Sequence, residues 1–250
     1  MSTDAQAAVV IPARYGSTRF PGKALADKTG RPMIAHVCEQ AGLARRVTRI
    51  LVATDDERIA DAVRTFGWEA VMTRSDHPNG TSRLAEVAES LDDRLIVNVQ
   101  GDEPEIDPAV IDLVIETLAD CDCSMATVAS PFRDDEDPSD PNMVKVVATP
   151  RGRAMYFSRS VIPYNRSNAP PVEVLKHVGL YAYRRSFLKA YPDLPPTPLE
   201  AAEQLEQLRV LEHGREIAVA VAACHHHGID TPEQYAAFVE RYRQQDTEQR

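Results

Sequence analysis

The chain has 250 residues, 43% of them hydrophobic and 26% charged, enough to bury a full core and ordinary for a globular protein. Its 28 basic residues against 38 acidic ones give a formal net charge of −10, which argues against nonspecific nucleic-acid binding, a mode that depends on a net basic surface. No apolar run reaches the ~18 residues that span a bilayer, and Met1-Ser2-Thr3-Asp4 begins no basic-then-apolar signal segment, so no membrane contact and a cytoplasmic location are expected.

The first element is an apolar strand over Ala7–Ile11, followed by a loop and a helix that starts at Pro32 and turns Ile34, Val37 and Cys38 inward. A strand over Arg49–Ala53 leads to Thr54-Asp55-Asp56-Glu57, read as a capping box for a helix with Ile59, Val63 and Phe66 on one face and Gly67 as its stop. A short strand near Ala70-Val71-Met72, a polar loop Thr73–Thr81 and a helix with Leu84, Val87, Ala88 and Leu91 follow. Leu95–Val99 is a strand, Asp107-Pro108 opens a helix with Ile111, Val114, Ile115 and Leu118 inward, and Met125–Val128 is the next strand. This alternation predicts an α/β fold of three layers, with a mainly parallel, Rossmann-like sheet covered on both faces.

From Pro131 to Pro141 the composition turns to Asp, Glu, Pro and Ser, a solvated excursion expected at an edge. Val144–Ala148, Ala154–Phe157 and Val178–Tyr183 read as strands without helices between them, so a small antiparallel lobe or edge is expected at about 131–185 of a single domain. Pro163–Pro171 reads as mobile. One helix is predicted over about Pro198–Glu212, with Ala201, Leu205, Leu208 and Leu211 on one side and Gly214 stopping it. Ile217–Val221 is a strand, Asp230-Thr231-Pro232-Glu233 opens the last helix, and the tail from Gln244 is expected to fray. Four cysteines, Cys38, Cys121, Cys123 and Cys224, form no C-x-x-C pair and read as free thiols.

Unusual polar residues gather where strands end, which is where an open parallel sheet binds ligands. The richest stretch is Pro12–Lys23, in which Arg14, Arg19 and Lys23 are interleaved with Gly16, Ser17, Thr18 and Gly22 directly after a buried strand. Inward-pointing backbone N–H groups and three cations suit a polyphosphate. The spacing matches neither common phosphate fingerprint: five residues separate Gly16 from Gly22-Lys23 where a Walker loop has four, Ala24 stands at its hydroxyl position, and no G-x-G-x-x-G is present. Asp102, in Gln100-Gly101-Asp102-Glu103-Pro104, reads equally as a turn residue or as a magnesium ligand. Asp230 reads as the N-cap of the last helix or as a second ligand. The His225-His226-His227 run does not converge on one tetrahedral centre, because metal-binding pairs on a helix need a spacing of three or four.

Four stretches taken together, Val10–Lys23, Val97–Pro104, Tyr156-Phe157-Ser158-Arg159 and Gly228–Pro232, resemble the 3-deoxy-manno-octulosonate cytidylyltransferase family, and the resemblance runs over nearly the whole chain. Further matches are Met72–His77, Val144–Val147, His177–Tyr181 and Pro198-Leu199-Glu200 leading to Leu205–Arg209. The resemblance implies a nucleotidyltransferase that joins CTP to an eight-carbon acid sugar, gives the CMP-sugar and pyrophosphate, and serves lipopolysaccharide biosynthesis. It implies that Arg14, Ser17, Thr18, Arg19 and Lys23 cradle the triphosphate, with Arg14 and Lys23 acting on the transition state and Pro12, Ala13 and Gly16 also binding the nucleotide. Arg74, Gly80, Thr81 and Gln100 would line the nucleotide pocket, and Asp102 and Asp230 would hold magnesium as the cofactor. Gln100, Arg159, His177, Tyr181, Glu206 and Gln207 would meet the sugar. A homodimer through about Tyr156–Tyr183 is likewise implied.

From the residues alone, Glu206 and Gln207 read as a solvated helix face, and His177 and Tyr181 as members of a half-buried strand. Tyr181 and Tyr183 share a strand face, whether it is core or pocket. Three departures from the family pattern stand out: Asn79-Gly80-Thr81-Ser82-Arg83, where Ser-Gly-Thr, an acid and Arg are usual; the histidine run; and Gly16, a position often held by Ala. Two other readings remain open, activation of an 8-amino analogue or a sialic acid, and a sensor that binds CTP without turnover. The two carboxylates argue against the sensor.

Overall fold

The computed structural model describes residues 5–16, 19–166, 172–224 and 228–249, with 245–249 as backbone alone. Four parallel strands, β1 (Ala7–Ala13), β2 (Val47–Thr54), β3 (Glu69–Met72) and β4 (Leu95–Asn98), lie in the order β3-β2-β1-β4. They are joined by α1 (Met33–Gly42), α2 (Glu57–Thr65) and α3 (Gly80–Ala88), and α4 (Pro108–Ala119) follows β4.

Strand period two divides β1 between two cores. Val9 and Ile11 meet Ile34 and Val37 of α1, Ile59 and Val63 of α2, and Ile111, Val114, Ile115 and Leu118 of α4. Ala8 and Val10 face the opposite core, with Leu84 and Val87 of α3, Phe187 and Leu188 of α5 (Arg185–Ala190) and Leu208 of α7 (Glu206–Glu212). Burying such an Ile, Leu or Val contributes roughly 1.5–3 kcal/mol per side chain. The expected three-layer α/β architecture with a mostly parallel sheet is what forms. No described helix is long and apolar enough to cross a membrane.

The antiparallel part divides between a pair of strands off the main strand path and one strand within it. β8 (Leu175–Arg184) runs antiparallel between β4 and β5 (Met125–Pro131), in the middle of the sheet, and β9 (Ile217–Val221) pairs parallel to β5. At ten residues β8 outreaches the sheet: its second half pairs β4, while Leu175 and Lys176 pair β6 (Lys145–Ala148), which in turn pairs β7 (Ala154–Ser158). Strand order follows from non-local pairing, which leaves no periodic trace in the chain. The acidic excursion is not wholly solvated either, because Glu136 is buried against Lys176 Nζ at 2.5 Å.

Local capping differs in three places. Asp56 rather than Thr54 caps α2, its carboxylate accepting from Arg58 N–H at 3.0 Å. Thr231 rather than Asp230 serves α8 (Pro232–Gln249), its hydroxyl accepting from Gln234 N–H at 3.3 Å. The backbone of α8 continues to Gln249 instead of fraying from Gln244. The predicted helix over Pro198–Glu212 is two helices, α6 (Pro198–Glu203) and α7, broken at Gln204, which is left-handed with φ 53° and ψ 49°. The carbonyls of Glu203 and Gln204, which a continuous helix would spend on its own next turn, accept the Arg159 guanidinium instead. α5, directly after β8, was not expected. Of Pro163–Pro171, residues 167–171 lie outside the described residues.

Candidate active site

The loops after β1 and β4 meet at the carboxyl ends of their strands. A Cβ on Gly101 would lie 2.9 Å from the Pro12 carbonyl oxygen, so the loop carrying Asp102 approaches the first loop this closely only because residue 101 is glycine. Gly22, at φ +69°, folds the first loop back so that its N–H donates to Tyr15 O at 3.1 Å. The Tyr15 ring is in turn covered by the Arg58 guanidinium, 3.5 Å from its centroid.

Between these loops lies a cavity of about 910 Å³ lined by Pro12, Ala13, Arg14, Gly16, Arg19 and Lys23 on one side. Gly80, Gln100, Asp102, Glu206 and Asp230 complete it. Ser17 and Thr18 lie outside the described residues, as do His225–His227. At the floor, Lys23 Nζ lies 2.5 Å from Asp102 Oδ2, 3.1 Å from Asp230 Oδ1 and 3.1 Å from the Ile229 carbonyl. Arg19 pairs with the other Asp230 oxygen at 3.0 Å. Glu103, beside Asp102, is pushed up to about 8 by burial and then by the Asp102 charge, so it stays neutral at pH 7.

Asp102 and Asp230 therefore converge on one cationic nitrogen with a carbonyl as third oxygen. Hard oxygen donors around a small positive centre are the surroundings magnesium prefers, and one or two carboxylates are what it takes when substrate phosphates supply the rest. Among the described residues no cluster of three or more His, Cys, Asp or Glu could hold a metal by itself. The donor set fits magnesium on that sharing basis.

A second cavity, of about 240 Å³, adjoins the first through the shared residues Gly80, Gln100 and Glu206. Tyr181, Tyr183 and Tyr191 line it with Asn98, Thr81 and Gln207. Tyr181 and Tyr183 stack along one face of β8, with centroids 6.0 Å apart. That face is core and pocket at once, since Tyr183 is 3% exposed within the second core and both rings line the cavity. His177 stands behind Tyr181 at 5.2 Å, and its Nε2 is 3.0 Å from Thr127 Oγ1. The same hydroxyl also lies 2.8 Å from Leu180 O and 3.2 Å from Val178 O. Burial drives the His177 pKa down to about 3, so the ring is neutral.

Glu206 accepts from Thr81 Oγ1 at 2.8 Å across the wall between the cavities, and burial holds its carboxyl above the usual range. Neither Glu206 nor Gln207, which is 6% exposed, belongs to a solvated helix face. Thr81 lines the smaller cavity and not the larger. Three other expected residues, His177, Arg74 and Arg159, line neither. Arg74 extends outward toward Asp76 at 3.2 Å, and Arg159 donates to the carbonyls of Pro141, Glu203 and Gln204.

Sequence reasoning missed Asp55, Asp56, His77 and Arg83 in the larger cavity, and Asn98, Tyr183 and Tyr191 in the smaller. Asp55 and Asp56 had a signal, since they follow β2 at the same sheet edge as the first loop. Tyr191 had none. Arg83 is buried with its guanidinium on Thr73 Oγ1 and 3.5 Å from Asp55. Asn79 caps α3, accepting from Ser82 N–H at 2.9 Å, which explains why Asn can replace Ser there.

The profile of the cytidylyltransferase family matches residues 8–217. The 3-deoxy-manno-octulosonate cytidylyltransferase of Trichlorobacter lovleyi is 50% identical, over 96% of this chain and 99% of its own length. The enzyme of the same name from Geobacter metallireducens is 50% identical over 93% and 96% of the two chains. Among solved structures, a CMP:2-keto-3-deoxy-manno-octonic acid synthetase complexed with CTP superposes with a TM-score of 0.90 at 44% identity, covering 96% of this chain and 99% of that one. The inositol-1-phosphate CTP transferase from T. maritima, 12% identical with a TM-score of 0.69, shares the fold.

Proposed function

The chain belongs to the 3-deoxy-manno-octulosonate cytidylyltransferase family, and from that premise we propose that it transfers CMP from CTP to 3-deoxy-manno-octulosonate with release of pyrophosphate, for lipopolysaccharide biosynthesis. The observation that carries the reading is the shared wall of Gly80, Gln100 and Glu206, which sets a large cavity, where Arg14, Arg19, Lys23 and Arg83 face the carboxylates of Asp102 and Asp230, beside a small tyrosine-lined one. A triphosphate fits the first and a polyhydroxylated acid the second, so the reacting atoms would meet at the wall.

The anomeric 2-hydroxyl of the sugar attacks the α-phosphorus in line. Its O–P bond forms, the bond to the bridging oxygen of the pyrophosphate breaks, and the hydroxyl proton is lost. Arg14, Arg19 and Lys23 hold the charge that builds on the leaving pyrophosphate, with backbone N–H groups of the first loop. Ser17 and Thr18 are assigned to the same cradle on the family pattern. Gln100, Tyr181, Glu206 and Gln207 orient the sugar hydroxyls, and His177 steadies Tyr181. Gly80 and Arg83 border the nucleotide. Asp102 and Asp230 would hold magnesium, which when bound supplies charge neutralisation on phosphate oxygens and acidifies a coordinated hydroxyl. Neither carboxylate is needed as a general base.

We place the enzyme in the cytoplasm, where CTP is made, and assign it a homodimeric state. Supporting the latter, two large apolar side chains of the antiparallel section are exposed, Met155 of β7 at 61% and Tyr164 in the following loop at 86%. Pyrophosphate release measured with CTP, magnesium and a panel of acid sugars tests the activity. Turnover is expected with 3-deoxy-manno-octulosonate above its 8-amino analogue and a sialic acid. Tight CTP binding with no turnover on any of the three would replace the transferase with a sensor.

A further inference from the structure

We propose that Glu203 is a positioning residue for the acid-sugar side of the site, holding the left-handed corner at Gln204 that presents Glu206 and Gln207 to the smaller cavity. The inference rests on the functional reading above and extends it to a residue that lines neither cavity.

Gln204 is the one described residue other than glycine with a positive φ. A left-handed L-residue costs roughly 1–2 kcal/mol, and such a conformation persists only where its surroundings over-determine it. Those surroundings converge on Glu203. Its carboxylate accepts from Ser158 Oγ at 2.7 Å through one oxygen and from Arg159 N–H at 2.9 Å through the other. The Glu203 carbonyl accepts from Arg159 Nε at 2.7 Å, and the Gln204 carbonyl from Arg159 Nη2 at 3.3 Å.

The end of β7 that supplies these donors is itself anchored. Lys145, wholly buried at the start of β6, donates from Nζ to the Arg159 carbonyl and to Asp140 O at 3.1 Å. Arg159 Nη1 donates to Pro141 O at 2.8 Å. On the far side of the corner, α6 and α7 are clasped by Arg209, whose guanidinium grips the two Glu200 oxygens at 2.7 and 2.6 Å.

The result is a break that leaves α6 with no buried residue while α7 buries Gln207, Leu208 and Val210. Gln204, Leu205, Glu206 and Gln207 all reach the smaller cavity. A chain that ran straight through Gln204 would keep its helical carbonyls and carry these four residues round the helix, off the wall. Glu203 thus acts on the sugar only through the corner it fixes.

The test is initial-rate kinetics with each substrate varied in turn, for wild type, Glu203→Ala, Glu203→Gln, Ser158→Ala and the Ser158→Ala/Glu203→Ala double variant. Glu203→Ala is expected to raise KM for 3-deoxy-manno-octulosonate by about tenfold while KM for CTP stays within about twofold. Glu203→Gln should recover most of the loss, because its amide oxygen still accepts from Arg159 N–H and its NH2 can donate to Ser158 Oγ. Ser158→Ala should raise the sugar KM by a smaller factor, and the double variant should be no worse than Glu203→Ala alone. An unchanged sugar KM in folded Glu203→Ala, or equal rises in both KM values, overturns the assignment. If circular dichroism shows Glu203→Ala unfolded, Ser158→Ala decides, and an unchanged sugar KM there overturns it. Absence of wild-type turnover with any acid sugar would instead overturn the functional reading beneath it.

Discussion

Lys23 serves two partners that cannot both have it. In the structure its ammonium bridges Asp102 and Asp230, yet in the proposed reaction it faces a triphosphate, so phosphate binding must draw it off the carboxylates and leave them for magnesium. Lys23→Met is expected to cut turnover by about 10²–10³-fold, the scale of losing one charge-stabilising donor, and to lower the melting midpoint, because the lysine side chain is 17% exposed and its removal leaves the Asp102 and Asp230 carboxylates without their shared cation. Asp102→Asn and Asp230→Asn should each abolish pyrophosphate release, and wild-type rates in either would remove the magnesium assignment. His177 makes a separate prediction about pH. Its folded pKa, about 3, lies below the unfolded value of about 6.5, so unfolding binds a proton between those values. The stability contributed by the neutral ring is complete above pH 6.5 and drains away as pH falls toward 3. Urea unfolding at pH 7 and pH 5 should therefore show a smaller loss on acidification in His177→Gln than in wild type.

α8 ties the second carboxylate to the body of the protein. Tyr235, Phe238 and Val239 of this helix pack on Met33 at the start of α1 and on Ile229, next to Asp230. Phe238 also meets the His36 ring edge-on at 5.3 Å. Phe238→Ala is expected to cost about 3–5 kcal/mol in denaturant unfolding, the usual range for a buried Phe, and to raise the magnesium concentration needed for half-maximal rate, since Asp230 rides on the loop that α8 anchors. Unchanged magnesium dependence in the folded variant would mean that the loop holds its place without the helix. α6 and α7 show the opposite relation between periodicity and element. Ala201 before Gln204 and Leu205, Leu208 and Leu211 after it keep helical spacing, so the pattern reads as one helix, whereas Arg159, about 45 residues upstream, takes the carbonyls that would have joined the two.

Across the whole molecule, two surfaces of the sheet are organised by residues legible one at a time, and the site by residues that are not. The odd and even positions of β1 announce a strand buried on both faces, and Pro12–Lys23 stands out by its charge and glycine content alone as the loop that lines the larger cavity. Gly101 and Asp102 could be placed beside that loop because the parallel βαβ order puts both at the same sheet edge. The position of β8 could not be read in this way. Its alternation fits any strand, and only pairing with β4 and β5 makes it central, which turns Tyr181 and Tyr183 toward the second cavity. Arg159 looked like a sugar contact from its motif, but its guanidinium is occupied by carbonyls from two distant segments. Local composition and spacing therefore determined the strand–helix order and the cationic loop, because those depend on neighbours in the chain, while the family was legible only as the resemblance of several separated motifs. Tertiary structure decided the central antiparallel strand, the broken helix and the shape of the smaller cavity, because each depends on which backbone groups find partners across tens of residues of sequence.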